Sequence, residues 1–185
     1  MNIVLIGMRG AGKSNISRRL SFLTKRPVLS TDLLIEYDNG GKSIPDIISE
    51  SNGDWQKFRQ LEYQVVQKIA AMDNAIIDCG GGVIVDVDDD GAEIYSERKV
   101  DLLKTNGQVV WLKGDIERLA AKVKGDQRRP TLDETRSVQD LMQRRLPFYE
   151  QAADIVIDID GKSRRKITSK IYRRFYNQDP PEIDL

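Results

Sequence analysis

A glycine-rich segment near the start of the chain has the residue types and the spacing that bind a phosphate group. Residues 7–14 read Gly-Met-Arg-Gly-Ala-Gly-Lys-Ser, which matches the pattern G-x-x-x-x-G-K-[ST]. In such a loop the glycines let the backbone approach phosphate oxygens, Lys13 reaches the β and γ phosphates, and the Ser14 hydroxyl binds Mg²⁺. The residues expected to contact the nucleotide are Gly10, Ala11, Gly12, Lys13, Ser14 and Asn15.

The segments on either side of this motif distinguish a nucleotide-binding loop from a chance glycine-rich turn. An apolar run, Ile3–Ile6, precedes the motif, and residues 13–24 follow it with apolar side chains at helical spacing. A strand, the loop and a helix in this order form the context in which the pattern binds ATP or GTP. The sequence therefore predicts a nucleotide site here.

Short apolar runs alternate with stretches of helical periodicity along most of the chain. The most regular helical pattern begins near Asp54, where apolar residues recur at spacings of three and four. The alternation predicts an α/β fold with a parallel sheet. The runs predicted to be strands are Ile3–Ile6, Pro27–Leu29, Ala75–Ile77, Gln108–Leu112 and Ile155–Ile157.

Ligands of open α/β sheets bind beyond the carboxyl ends of the strands. Three of the predicted strands are followed by residues that could bind a ligand. Asp32 follows the second strand, Asp78 and Gly80–Gly82 follow the third, and the basic segment 122–133 follows the fourth. By itself, Asp32 is better explained as an acid at a helix N-terminus. Three consecutive glycines instead indicate that another group approaches the backbone closely. The basic segment has no apolar periodicity and suits a lid over a site.

The composition excludes several classes of function. The chain has no histidine, which removes a Ser-His-Asp triad, the HExxH zinc motif and histidine-based pH switching. Lys plus Arg and Asp plus Glu each number 29, so the zero net charge gives no overall attraction to nucleic acid or an anionic membrane. A single cysteine, Cys79, cannot form an intramolecular disulfide, and no leader or membrane-spanning run is found. We therefore expect a cytoplasmic location.

Taken together, these motifs resemble the shikimate kinase family over nearly the whole chain. The resemblance implies a P-loop three-layer α/β sandwich with a five-stranded parallel sheet in the order 2-3-1-4-5. It also implies a single kinase domain over residues 1–176, with a substrate-binding insertion at about 31–62 and a lid at about 122–133. Residues 177–185 contain Pro180-Pro181 and three acids, so we expect them to form a loose tail. The segments that carry the resemblance, in family order, are Gly7–Ser14, Thr31-Asp32 with Ile35-Glu36, Gly41 with Ser43-Ile44, Phe58-Arg59 with Glu62, Gly80-Gly81-Gly82, Gly107 with Val109-Val110-Trp111-Leu112, Arg129-Pro130, and Arg145 with Pro147 and Tyr149.

The resemblance implies a reaction and an acceptor site. The family transfers the γ-phosphoryl group of ATP to the 3-hydroxyl of shikimate, in the biosynthesis of chorismate and the aromatic amino acids. By resemblance, Asp32 contacts the acceptor hydroxyl, Arg59 and Arg145 bind the shikimate carboxylate, and Gly80–Gly82 lie against the ring. Considered alone, Arg59 is better explained as a surface helix arginine paired with Glu62 or Tyr63.

The resemblance also assigns roles on the nucleotide side. Arg129, directly before Pro130, matches the lid arginine that closes on the transferring phosphoryl group, so Lys13, Asp32 and Arg129 are the expected catalytic residues. Lys122 occupies the position of an arginine that commonly covers the adenine.

The chain departs from the family at Ser30, where an aspartate usually helps to hold Mg²⁺ through water. Asp78, at the end of the third strand, stands where many P-loop enzymes carry such an acid. One interpretation is that Asp78 and Ser14 hold the metal, so that the acid has moved between strands; the other is that Asp78 only caps a strand. A buried acid is costly unless it is paired or bound to a metal, which favours the first.

Three further alternatives stay open at the level of sequence. Another small-molecule or nucleotide kinase of the same architecture would share the loop and the lid. A nucleotide-binding regulatory protein that has lost turnover would account for Ser30. The basic helical stretch Ser163–Tyr176 could contact RNA or membrane, although a solvated helix face fits the neutral charge better. The favoured interpretation is an ATP- and Mg²⁺-dependent kinase that acts as a monomer, without nucleic acid or membrane partners.

Overall fold

The computed structural model describes residues 1–123 and 137–181. Seven strands are formed in these residues: β1 (Asn2–Ile6), β2 (Val28–Ser30), β3 (Ile76–Asp78), β4 (Val85–Val87), β5 (Glu93–Tyr95), β6 (Gly107–Lys113) and β7 (Ile155–Asp158). The helices described are α1 (Lys13–Thr24), α2 (Thr31–Asp38), α3 (Ile44–Glu50), α4 (Trp55–Ala70), α5 (Glu97–Thr105), α6 (Ile116–Val123), α7 (Val138–Ala152) and α8 (Arg164–Tyr176).

The central sheet confirms the predicted fold class and strand order. Its five strands are parallel and lie in the order β2-β3-β1-β6-β7, which is 2-3-1-4-5 when only these strands are counted along the chain. All five residues of β1 are buried. Because successive strand residues point to opposite faces of a sheet, helices must cover both faces, which gives three layers.

The helices pack around this sheet in contacting pairs. Helix α1 contacts α8, and α4 contacts both α2 and α5. On α8 the apolar side chains of Ile167 and Ile171 are buried, whereas the basic residues of the same helix are exposed. The solvated face therefore explains the basic pattern. Within the described residues, none of the helices combines the length and the apolar character needed to span a bilayer.

An antiparallel hairpin formed by β4 and β5 was not predicted. Val85 pairs with Tyr95 and Val87 with Glu93, and the connection turns at Gly91, whose φ is 82°. The Asp88 carboxylate accepts hydrogen bonds from the backbone amides of Asp90 (3.1 Å) and Ala92 (2.8 Å), which stabilises the turn. The Asp90-Gly91 dipeptide between alternating segments was the available sequence signal.

The substrate-binding insertion contains the short helix α3. Ser43 caps α3 by accepting a hydrogen bond from the amide of Asp46 at 3.4 Å. Asn52 and Gly53 adopt positive φ values of 54° and 74°, and Asp54 then caps α4. These two turn residues determine where α4 begins, and α4 carries Arg59 of the acceptor site described below.

The predicted lid and the predicted tail lie partly outside the described residues. The lid was expected to begin at Lys122, but Lys122 belongs to the last turn of α6, because Leu119 and Val123 bury one face of that helix. The remainder of the predicted lid, including Arg129, lies outside the described residues. Of the predicted tail, residues 177–181 are described.

Candidate active site

The phosphate-binding motif forms the connection between β1 and α1. Gly12 is the N-cap of α1 with φ 88°, a left-handed conformation that strongly favours glycine. The helix N-terminus therefore directs its free backbone amides toward the loop. Lys13 folds back over the loop, and its Nζ donates to the carbonyl of Gly7 at 2.6 Å and of Met8 at 3.3 Å. Ser14 is exposed on the first turn.

The remaining nucleotide-side residues surround this loop. Lys122 on α6 lies next to Gly10, since a Cβ built on Gly10 would be 3.6 Å from the Lys122 Cβ. The structure thus brings Gly10, Ala11, Gly12, Lys13, Ser14, Asn15 and Lys122 to one end of the sheet.

A pocket opens beside the loop, at the carboxyl ends of β1 and β3. Its wall is largely apolar and includes Trp55, Phe58 and Met142. The polar groups in such a pocket orient a ligand and select among ligands. Of the residues predicted to bind the acceptor, those that line this pocket are Asp32, Arg59, Gly81, Gly82 and Arg145.

Asp32 lies on the first turn of α2, and Gly80 makes room for it. A Cβ on Gly80 would overlap Oδ1 of Asp32, so only glycine leaves the carboxylate in place. The amide of Gly80 donates to Oγ1 of Thr31 at 2.7 Å, which fixes the two backbone segments together. The glycine triplet was predicted to mark a close approach to the backbone, and at Gly80 the approaching group is the Asp32 carboxylate.

Arg59 on α4 makes a second close approach, to Gly82. A Cβ on Gly82 would lie 2.6 Å from Nη1 of Arg59. The rings of Trp55 and Phe58 flank the guanidinium at 5.4 and 5.5 Å from its carbon, and Nη1 donates to Oε2 of Glu62 at 3.0 Å. The interpretation of Arg59 as a surface arginine was wrong, because the residue is only 3% exposed. Packing against the aromatic rings and the sheet is what buries it.

The guanidinium of Arg59 belongs to the wall of the pocket. Its Nε is buried and has no hydrogen-bond partner among the described residues. A guanidinium selects an anion with two coplanar oxygens, such as a carboxylate.

Arg145 reaches the same pocket from α7. Its Nη1 donates to the carbonyl of Gly81 at 3.2 Å, and its Nε donates to Oε2 of Glu93 at 2.8 Å. Nη2 bonds the other oxygen of Glu93. Burial alone would lower the pKa of Arg145, but the hydrogen bonds to Glu93 raise it, so the guanidinium is firmly charged. The hydroxyl of Tyr149 also donates to the Gly81 carbonyl, at 2.6 Å.

Next to the arginines lies a group of charged residues that were not predicted to belong to the site, of which Glu62 lines the pocket. Nζ of Lys99 is fully buried and donates to Oε2 of Glu62 at 2.6 Å and to the carbonyl of Val85 at 2.5 Å. Burial by itself raises the pKa of Glu62, but Lys99 and Arg59 hold it below its usual value. Glu62 could be found from its spacing of three residues from Arg59. The chain carries no local signal for Lys99 or Glu93.

Asp78 and Ser30 are neighbours across the sheet. They are register partners in β3 and β2, and Asp78 is 6% exposed. Ser30 caps α2, with its side chain accepting from the amide of Leu33 at 3.4 Å. A carboxylate at either position would thus emerge at the same edge of the sheet, beside the phosphate-binding loop.

Comparison with known proteins agrees with this geometry. A family model described as shikimate kinase matches residues 9–176. A shikimate kinase of Leptospira biflexa is 45% identical over 171 residues, covering 92% of this chain and 93% of that protein. The shikimate kinase of Leptospira borgpetersenii is 42% identical over 173 residues, covering 94% and 97%.

A solved structure shows the same architecture. The shikimate kinase from Acinetobacter baumannii, in complex with shikimate, has a TM-score of 0.81 and 28% sequence identity, with coverage of 95% of this chain and 93% of that one. With a family model over most of its length and relatives above 40% identity, the chain belongs to the shikimate kinase family.

Proposed function

We propose that the protein is an ATP-dependent kinase that converts shikimate to shikimate 3-phosphate. One observation carries this proposal: a single pocket beside the phosphate-binding loop presents the Asp32 carboxylate together with the guanidinium groups of Arg59 and Arg145. Two guanidinium groups on one pocket wall favour an anionic ligand. A small molecule with one carboxylate and a hydroxyl at the other side of its ring matches this arrangement.

Different residues bind the acceptor, accept its proton and stabilise the charge of the transferring group. Arg59 and Arg145 hold the carboxylate and thereby orient the ring, with its 3-hydroxyl toward Asp32. As the hydroxyl oxygen forms a bond to the γ-phosphorus, the bond from that phosphorus to the β–γ bridging oxygen breaks and ADP leaves. Asp32 accepts the hydroxyl proton. Lys13 and, by family resemblance, Arg129 stabilise the charge on the transferring group.

The oxygen donors near the loop fit Mg²⁺. The exposed Ser14 hydroxyl and the Asp78 carboxylate are hard oxygen donors on neighbouring elements. Residues 1–123 and 137–181 contain no group of three or more His, Cys, Asp or Glu side chains that could hold a metal ion alone. This suits Mg²⁺, which usually takes one or two protein ligands and completes its shell with phosphates and water. When bound with ATP, the ion neutralises phosphate charge.

The first prediction tests the reaction itself. ADP release with ATP and Mg²⁺ should require shikimate, because only a bound acceptor presents a nucleophile in the pocket. A coupled assay with and without shikimate, and with other hydroxylated carboxylic acids and nucleotides as acceptors, measures this. Equal release with and without shikimate across a broad range of Mg²⁺ would contradict the function. If another acceptor were turned over faster, that compound and not shikimate would be the substrate.

A second prediction concerns the metal-side acid. If Asp78 orients the hydrated ion, Asp78→Asn should raise the Mg²⁺ concentration for half-maximal activity about 10- to 100-fold, as loss of an outer-sphere metal partner does. Ser30→Ala should have a much smaller effect. Ser30→Asp in the Asp78→Asn background should recover part of the loss, because the two positions are register partners. A Mg²⁺ titration of activity at saturating ATP gives the half-maximal Mg²⁺ concentration for the wild type, the two single variants and the double variant.

The cap formed by Ser30 supplies the control for this series. Ser30→Ala removes an N-cap worth about 0.5–2 kcal/mol, whereas aspartate caps as well as serine does. Thermal unfolding therefore separates a loss of stability from a loss of metal binding. A mild Asp78→Asn together with a severe Ser30→Ala effect on Mg²⁺ dependence would assign the role to Ser30.

We also propose that the enzyme is a cytoplasmic monomer and that its partners are small molecules, with residues 1–176 forming one domain. The lone buried thiol of Cys79 supports a reducing compartment, and the zero net charge supports the absence of nucleic-acid and membrane partners. Burial raises the pKa of that thiol, which makes it unreactive. Light scattering would contradict the monomer if it gave twice the mass of the chain.

A further inference from the structure

We propose that Glu93 is a positioning residue for the acceptor, which holds the two arginines in the arrangement that binds a carboxylate. The inference rests on the proposed function and extends it to a residue outside the pocket. Glu93 is the first residue of β5, in the hairpin that the sequence did not predict.

The contacts of Glu93 join both arginines. Its Oε2 accepts from Nε of Arg145 at 2.8 Å, and its Oε1 accepts from Nη2 of the same guanidinium. Oε1 also lies 3.7 Å from Nη2 of Arg59. The Glu93 side chain is only 5% exposed. A single buried carboxylate is thus shared between the two guanidinium groups.

Glu93 acts from behind the arginines, because it does not line the pocket. Arg59 and Arg145 do line it. A guanidinium has five N–H donors, of which Arg145 directs two to Glu93 and one to the Gly81 carbonyl. Two donors are left for a ligand. The substrate carboxylate and Glu93 can therefore bind Arg145 at the same time, on different edges.

Charge explains why a carboxylate is needed at this position. Two buried guanidinium groups that converge on one ligand repel each other, and little water is present to screen them. Glu62 neutralises Arg59 and is itself held by Lys99. For Arg145, Glu93 is the carboxylate in contact within the described residues. Removing its charge should allow Arg145 to shift away from Arg59.

The hairpin that carries Glu93 is anchored to the following helix. Asp86 on β4 accepts from the hydroxyl of Ser96 at 2.6 Å and from Nε of Arg98 at 2.8 Å. Burial alone would raise the pKa of Asp86, but these bonds and the charges of Lys99 and Arg98 keep it at about 2. Because Glu93 pairs with Val87 on β4, this anchor also fixes Glu93.

The test begins with Glu93→Gln, which keeps the shape of the side chain and removes its charge. The KM for shikimate should rise about 10- to 100-fold, the range expected when a charge-assisted hydrogen bond is lost from a binding group. The kcat and the KM for ATP should stay close to wild type, because the reacting atoms are not touched. Asp89→Asn is the matched control, since Asp89 is an exposed carboxylate on the same hairpin.

A second substrate separates positioning from a general structural effect. Shikimate methyl ester has no carboxylate, so its weaker turnover should change little in Glu93→Gln, and the preference for the acid over the ester should fall by the same 10- to 100-fold. Damage to the fold would lower both activities together. Glu93→Asp, which retains the charge on a shorter side chain, should give an intermediate KM for shikimate, and it replaces Glu93→Gln if that variant does not fold.

The outcomes distinguish this inference from the proposed function. Absence of shikimate-dependent turnover in the wild-type protein would overturn both. With an active wild type, an unchanged KM in Glu93→Gln would overturn only the role of Glu93. A lower KM would also overturn it, because it would show that Glu93 competes with the substrate for Arg145.

Discussion

Asp32→Asn is expected to lower kcat about 10³-fold, within the range that general-base catalysis contributes. The amide has the same shape as the carboxylate but cannot take the proton of the attacking hydroxyl. The pocket should remain intact, because Gly80 provides the same space for either side chain. The KM for shikimate should therefore change little, and steady-state kinetics with both substrates measures the two parameters separately.

A matched control for this variant lies on the same helix. Asp38→Asn removes a carboxylate that pairs with Lys68 at 2.6 Å on the surface, and such exposed pairs contribute little to stability. Its kcat should remain near that of the wild type. A normal kcat with a raised KM in Asp32→Asn would mean that Asp32 only binds the acceptor and that the proton leaves by another route.

Arg129→Ala is the second variant expected to have a large effect, a fall in kcat of about 10³-fold. The expectation comes from the family resemblance, in which this arginine stabilises charge on the transferring phosphoryl group. Single-turnover measurements of phosphoryl transfer at saturating ATP and shikimate would show whether chemistry itself slows. Arg128→Ala is the matched control, because the neighbouring arginine has the same charge and does not precede Pro130.

Arg59→Ala should change the KM for shikimate, whereas Arg129→Ala should change kcat. It removes a donor to the acceptor carboxylate, so it should chiefly raise the KM for shikimate and leave most of kcat. Loss of kcat in Arg59→Ala with a raised KM in Arg129→Ala would show that the two roles are interchanged.

Local patterns in the sequence were sufficient to predict the framework of the molecule. The motif at residues 7–14 lies between a strand and a helix, and the five apolar runs correspond to the five strands of the parallel sheet. The strand order came from the family resemblance, which rests on motifs in a fixed order along the chain. Asp54 caps α4 at the position where the sequence predicted the start of a helix.

The acceptor site was predicted only in part, because its residues are distant in sequence. Asp32, Arg59 and Arg145 come from three different helices, and only the packing of those helices around the sheet brings them to one pocket. The glycine triplet predicted close contacts to the backbone, but not which side chains make them. The side chains that approach it, from Asp32 and Arg59, became known from the structure.

The nucleotide loop, the parallel sheet and the family could be predicted from the sequence, because these depend on residues that are neighbours or that recur with a regular period. The burial of Arg59 and the support that Glu93 and Lys99 give to the site became known only from the folded structure. Lys99 lies 37 residues from Glu62, and Glu93 lies 52 residues from Arg145. Charge pairs over such distances leave no periodic signal, since they form only when folding excludes water and makes each buried charge require a partner.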